Sequence, residues 1–215
     1  VGRRTTNTPG GIQASTYVNG AVTVGLAAVQ PSVTMTAPAS IVSGNTLVAF
    51  VNSAGATGAT TGPSGWTKKA EATDFTISVW TKTATGAEPG TYQWTFSGTG
   101  FGCGAILQYH PFSTGGTDGT PLCTVQASGT SFTIPSVTPT RNNDVWVSCV
   151  VGLTSGHTPA TPAGLTLRDN GVLASHQSVY TFEQQRTDTS ATGTATANWT
   201  GGSTFYSAVS ALLQP

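Results

Sequence analysis

The chain has 215 residues, with eight Lys and Arg against eight Asp and Glu, so the net charge is zero and only 7% of residues are charged. About 25% is ordinary for a soluble domain. So few cations cannot form a phosphate-neutralising stripe, which argues against a nucleic-acid partner, and no run of about 18 apolar residues could cross a membrane as a helix. Zero net charge together with 5 Trp, 5 Tyr and 8 Phe argues against a disordered chain and for a folded one whose surface is solvated by hydroxyls and amides.

Residues 1–20 are polar and rich in Gly, Thr and Asn, and they predict an N-terminal arm whose only charges are Arg3 and Arg4. The arm is either a frayed terminus or a segment that docks on a neighbouring subunit. Val1-Gly-Arg-Arg-Thr5 has no apolar core behind its basic pair, so no secretory signal is expected. The chain is either mature or leaves its cell without the secretion machinery, as by lysis.

From Ala21 onward the pattern is that of strands. Val22-Thr-Val24, Val33-Thr-Met-Thr36, Thr76-Ile-Ser-Val-Trp-Thr-Lys82 and Tyr92-Gln-Trp-Thr-Phe96 alternate with period two. Turn clusters divide them, among them Ser43-Gly-Asn45, Pro63-Ser-Gly65 and Gly86-Ala-Glu-Pro-Gly90. The pattern then repeats. Asn45-Thr-Leu-Val-Ala-Phe-Val51, Pro63-Ser-Gly-Trp-Thr67, Ser78-Val-Trp80 and Ala105-Ile-Leu107 are echoed by Asn143-Asp-Val-Trp-Val-Ser-Cys149, Pro162-Ala-Gly-Leu-Thr166, Ser178-Val-Tyr180 and Ala208-Val-Ser-Ala-Leu212. Short strands at this spacing, rich in Thr and Val, predict an all-β fold rather than βαβ units. We expect an antiparallel, jelly-roll-like β-sandwich over residues 21–215, built from two related halves at about 30–110 and 130–214. A single sandwich is preferred to two tandem ones, because each unit is small for an independent domain and the connector 111–130 is short. Phe205-Tyr-Ser-Ala-Val-Ser-Ala-Leu-Leu213 predicts a terminal strand pinned in the sheet.

No constellation points to a reaction. Most of the eight carboxylates stand beside turn residues, where they are solvated or cap the backbone. Glu183 alone stands in mid-strand, with Lys82 in the comparable place of the first unit. A glycosidase needs two carboxylates facing each other across a cleft, and none is assigned. His110, His157 and His176 lack metal-ligand spacing, and the latter two are expected at the surface. Asp118 in Gly115-Gly-Thr-Asp-Gly-Thr120 is the best single candidate for calcium, but one carboxylate is a weak site and a plain turn is expected. No catalytic residue, metal or cofactor is therefore assigned. Cys149 is read as a buried hydrophobe; Cys103 and Cys123 are either free or paired. Trp66, Trp80 and Trp199 are read as core because the repeat keeps an apolar residue opposite each: Leu165, Tyr180, and Trp94 or Phe96. Phe101, Phe112 and Tyr206 lie near Gly-rich turns and are the candidates for exposed rings that stack on sugar. The sequon Asn198-Trp-Thr200 is read as accidental within a strand.

Ser43-Gly-Asn-Thr-Leu-Val-Ala-Phe50, Pro63-Ser-Gly-Trp-Thr67, Val79-Trp80, Ala87-Glu-Pro-Gly-Thr-Tyr92 and Trp94-Thr-Phe96 together resemble a β-sandwich module of bacteriophage virion proteins, found in head-decoration, minor tail and fibre proteins. The resemblance covers residues 30–110 well and 130–214 through the degenerate second copy, and it carries no catalytic motif. It implies a non-enzymatic structural protein on the virion surface, extracellular after lysis, as a capsid decoration protein or head fibre. The alternative is a tail-tip or fibre adhesin that binds host cell-surface carbohydrate. The implied partners are the major capsid protein or tail proteins of the same particle and further copies of the chain, a trimer among the options. Arg3 and Arg4 would belong to the docking arm, and Phe101, Phe112 and Tyr206 to a glycan-binding surface.

Overall fold

The computed structural model describes residues 16–25, 28–54, 59–72, 77–110, 116–153, 157–173 and 177–214. These form antiparallel strands and no helix. In the first half they are Tyr17–Thr23 (β1), Gln30–Thr36 (β2), Thr46–Ala54 (β3), Thr60–Thr61 (β4), Thr67–Glu71 (β5), Ile77–Thr83 (β6) and Thr91–Tyr109 (β7). In the second they are Thr117–Gly129 (β8), Ser131–Ile134 (β9), Val145–Gly152 (β10), Thr158–Pro159 (β11), Thr166–Leu173 (β12), Gln177–Gln185 (β13), Ala195–Thr200 (β14) and Thr204–Leu213 (β15).

Each half is a large sheet covered by a small one. The large sheets have the orders β1-β7-β3-β6-β5 and β12-β13-β10-β15-β8, and the small ones are β2-β7-β4 and β11-β14-β9. The fold is thus the expected all-β sandwich of two related halves, and the repeat extends to topology: β1 and β8 hold equivalent edges, as do β5 and β12. The halves begin earlier than the sequence repeat suggests. Residues 17–20 belong to β1 rather than to an arm, and most of the connector 111–130 is β8. Residues 1–15, with Arg3 and Arg4, lie outside the described residues.

Three cores hold these layers together. Trp66, Trp80, Trp94, Met35 and Phe96 fill the space between large and small sheet in the first half. Phe132, Trp146, Tyr180, Phe182 and Trp199 do so in the second. The third core joins the halves: Val48, Phe50, Val79, Ala105 and Leu107 of the first large sheet pack against Val147, Cys149, Val179, Val209 and Ala211 of the second. Both faces of β3 and β10 are therefore covered, and every described residue of these strands is buried. This is why they read as continuous apolar runs and not as alternation. Each Val, Leu or Phe so buried contributes about 1.5–3 kcal/mol. The tryptophans are core, as expected.

The turn Pro63-Ser-Gly-Trp recurs in geometry as in sequence. Trp66 N donates to Pro63 O and Leu165 N to Pro162 O, at 3.3 and 3.2 Å. Gly65 and Gly164 take φ of +84° and +79°, the left-handed region open to glycine at little cost. Ladder register corrects one part of the repeat. Ala49 faces Trp80 and Ser148 faces Phe182, so Trp80 corresponds to Phe182 and not to Tyr180. Likewise the partner of Lys82 is Gln184, and Glu183 corresponds to Thr81.

Candidate functional site

Antiparallel pairing sorts the connections to two ends of the molecule. At one end lie Thr23, Ala54, Glu71 and Phe101 of the first half, and Gly129, Gly152, Leu173 and Thr204 of the second. Gln177 ties the halves together there. Its Nε2 donates to Phe101 O at 2.8 Å, and its side chain fills the place a Cβ on Gly25 would need. Loops gathered on a rigid sandwich are where binding residues concentrate. A shallow groove beside this end is lined by Thr23, Val24, Gln30, Ser32, Thr34 and Gly102. It offers hydroxyls, the Gln30 amide and backbone but no charged or aromatic side chain.

The predicted rings that are described do not form an exposed set at this end. Phe101 is there, half-buried in β7. Tyr206 is not exposed. It is 3% accessible, its hydroxyl accepts from Thr133 N at 3.0 Å, and its ring meets the edge of Phe132 at 6.3 Å. It lies on the face of β15 that carries Ala208 and Leu212 into the core, and its neighbour Phe205 points outward at 47% exposure. Period two put the exposed ring one residue away from the predicted one. Phe112 lies outside the described residues. His157 is buried, contrary to expectation, and His176 lies outside the described residues. Cys103, Cys123 and Cys149 are free thiols. Burial raises all three, Cys123 to about 12, so none is a reactive thiolate at neutral pH.

Glu88 stands in the turn before β7, as the sequence reads, and its carboxylate caps the Thr85 backbone within a set of four donor groups. Lys82 Nζ is at 2.6 Å, Thr85 N at 2.6 Å and Thr85 Oγ1 at 3.0 Å, and the Tyr92 hydroxyl closes the set. Lys82 also lies over the Tyr92 ring at 5.1 Å, and Tyr92 packs edge-on against Trp66 at 5.2 Å. Desolvation works against the charge, but the hydrogen bonds from Lys82, Thr85 and Tyr92 outweigh it and hold Glu88 at about 2, below its ordinary 4.5. A depressed folded value stabilises the protein above the unfolded value, and that contribution is lost as pH falls through about 2. Glu88→Gln is expected to cost about 1–2 kcal/mol at neutral pH. It should also flatten the acid limb of stability between about pH 4.5 and 2, read by urea denaturation at stepped pH. An unchanged acid limb would place the network's anion elsewhere.

Glu183 also lies within the molecule, between the halves, where it accepts from Tyr109 and Arg168. Asp118 stands in β8 and not in a plain turn, with its carboxylate taken by Thr140. Among the described residues no group of three or more His, Cys, Asp and Glu is placed to hold a metal ion. Glu88, Glu183 and Asp118 are each closed by partners inside the protein, an arrangement that joins loops to sheets and one half to the other. No protein-family model, curated protein or solved structure matches the chain.

Proposed function

We propose that the chain is a non-enzymatic structural protein on the surface of a bacteriophage particle, acting as a capsid decoration protein or head fibre. The observation that carries this reading is the use made of its few charges: Glu88, Glu183 and Asp118 are tied into the sandwich by Lys82, Arg168 and Thr140. The body that results is strand-rich, with short polar turns and two central strands buried on both faces. Such a body suits a protein released by lysis that must persist at high local concentration among proteases. The resemblance of residues 30–110 to virion sandwich modules supports the same setting.

Attachment falls to the N-terminal arm. Thr16 O accepts His110 N at 3.0 Å beside the edge strand β1, and residues 1–15 precede it in the sequence. The arm, with Arg3 and Arg4, docks on the major capsid protein or on a neighbouring copy, and the trimer is the oligomer that fits a three-fold capsid position. Immunogold against the chain is expected to label heads in a lysate. A chain lacking residues 1–15 is expected to keep its cooperative unfolding but to leave the particles bare. Full occupancy by the truncated chain removes the arm from this account. Label confined to tails replaces decoration with an adhesin for host carbohydrate, for which exposed Phe205 near Gly201 and Gly202 is the first ring to examine. Absence of label from every particle ends the virion reading.

A further inference from the structure

The internal repeat places the same junction in both halves and builds it from different chemistry. Asn45 leads into β3 as Asp144 leads into β10. Asn19 faces Gln108 across the β1–β7 ladder as Asp118 faces Leu212 across β8–β15. The turn before each junction needs a left-handed residue, supplied by Gly44 at φ +87° and by Asn143 at φ +70°. In the first half the junction is made of amides. Asn45 Nδ2 donates to Gln108 Oε1 at 3.2 Å, Val42 N donates to the same oxygen at 2.7 Å, and Gln108 Nε2 donates to Asn19 Oδ1 at 2.8 Å. Amides bring both donors and acceptors, so this set closes on itself.

In the second half carboxyls stand where Asn19 and Asn45 stood, and Leu212 replaces the intermediary Gln108. The ladders of β8 and β10 to β15 bring Asp118 and Asp144 to one corner, where the two carboxyls interact. Asp118 receives the Thr140 hydroxyl at 2.6 Å on one oxygen and Thr140 N on the other. Asp144 is wholly buried, and neither of its side-chain oxygens receives an N–H or O–H donor. A buried carboxylate with no donor is costly, and two in contact cannot both ionise. A proton on Asp144 resolves both problems, since its O–H then donates to Asp118.

We propose that Asp118 and Asp144 share one proton, and that this proton is a latch joining the first residues of β8 to the segment 135–144 that leads into β10. The charged groups around the latch are few. Arg141 acts on Asp144 through its charge. Arg186 sends its backbone N–H to Asp144 O at 2.8 Å, but its guanidinium is turned to Gln184, Asp188 and the Ser190 carbonyl. Asp188 is largely exposed. Strands β8, β10 and β15 bring no other charge to the corner.

Burial, and then the hydrogen bond and charge of Asp118, push Asp144 up to about 7. Asp118 is held below its ordinary value because the hydrogen bonds from Asp144 and Thr140 overcome its desolvation. The Asp144 contribution is therefore present in acid and lost as pH rises through about 7. The Asp118 contribution is present above its unfolded value and lost as pH falls through the depressed one. The latch holds between these limits and releases at mildly alkaline pH.

Thermal unfolding of the full chain tests this. The midpoint of the unmodified protein is expected to fall by several degrees from about pH 5.5 to about pH 8.5, and Asp144→Asn, which keeps a donor towards Asp118, should abolish that slope. A parallel slope in Asp144→Asn overturns the proposal. If the variant does not fold, carboxyl-carbon NMR of the unmodified protein decides: one Asp resonance titrating near 7 is expected, and every Asp in the ordinary range of about 3–5 overturns the assignment. Asp169 is also pushed up by burial, and its resonance is identified by its loss in Asp169→Asn. Millimolar calcium is expected to leave the alkaline midpoint unchanged. A rise confined to the unmodified protein would mean that the pair takes a cation and not a proton.

Discussion

Glu183→Ala is expected to destabilise the protein by about 2–3 kcal/mol, because it removes a buried carboxylate that accepts hydrogen bonds from Tyr109 and Arg168. Glu183 is 2% exposed and joins the two halves from the middle of β13. Its Oε2 accepts the Tyr109 hydroxyl at 3.0 Å, and its Oε1 takes the Arg168 guanidinium. That guanidinium lies over the Tyr17 ring at 5.1 Å, and the ring of Tyr17 meets Tyr109 edge-on at 5.8 Å. Two tyrosines of the first half thus close around an ion pair of the second. Truncation to Ala takes the carboxylate acceptor from the Tyr109 hydroxyl and opens a cavity at the seam. Glu183→Gln keeps an acceptor for Tyr109 and loses only the charge, so it should cost less. Urea denaturation distinguishes the cases: a lower midpoint at unchanged slope is expected for Glu183→Ala. A loss under about 1 kcal/mol would class the pair with screened surface bridges and leave the apolar core alone to hold the halves.

What the sequence revealed and what it concealed follow from one distinction. Features local to a strand or turn were legible. Pro63-Ser-Gly-Trp and Pro162-Ala-Gly-Leu marked the same turn twice, and Trp66 and Leu165 enter equivalent cores. The start of edge strand β1 was not, because only Val22-Thr-Val24 alternates there and Tyr17-Val-Asn-Gly20, partly buried, carries no apolar periodicity. The slip between Trp80 and Phe182 was invisible for a physical reason. A shift of two residues leaves a strand's faces unchanged, so only the ladder to β3 and β10 could reveal it. A slip of one residue flips the face, which is how Tyr206 was taken for Phe205. The buried polar groups were beyond reach because their partners are distant. Glu183 meets Tyr109 and Arg168, and Asp118 meets Thr140 and Asp144. Composition records that charges are scarce and not that several of them lie inside.

Gly104→Ala is expected to cost about 3 kcal/mol or more, the upper range for overpacking, because β7 makes a corner that β14 and β15 avoid. In the first half a single strand, Thr91–Tyr109, runs from the small sheet, where it pairs with β2 and β4, into the large sheet, where it pairs with β1 and β3. In the second half the same passage is broken at Gly201 and Gly202, at φ +103° and +113°. An unbroken strand can turn this corner only if its inner face carries no side chains, and residues 98, 100, 102 and 104 are all Gly. A Cβ on Gly102 would stand 2.5 Å from Val33 Cβ. One on Gly104 would stand 2.0 Å from the Phe50 carbonyl oxygen and 3.0 Å from Met35 Cε. Met35 can move, but the Phe50 carbonyl belongs to the neighbouring strand of the ladder, so relief requires β7 to part from β3. Both the core beneath the small sheet and the core between the halves lose packing when it does. Gly86→Ala is the control, since a Cβ there meets nothing within 4 Å and its effect should stay within about 0.5 kcal/mol. Equal stability of the two variants would mean that the glycine run is not needed for the corner. Loss confined to Gly104→Ala would identify the corner as the reason the first half can dispense with the turn that the second half requires.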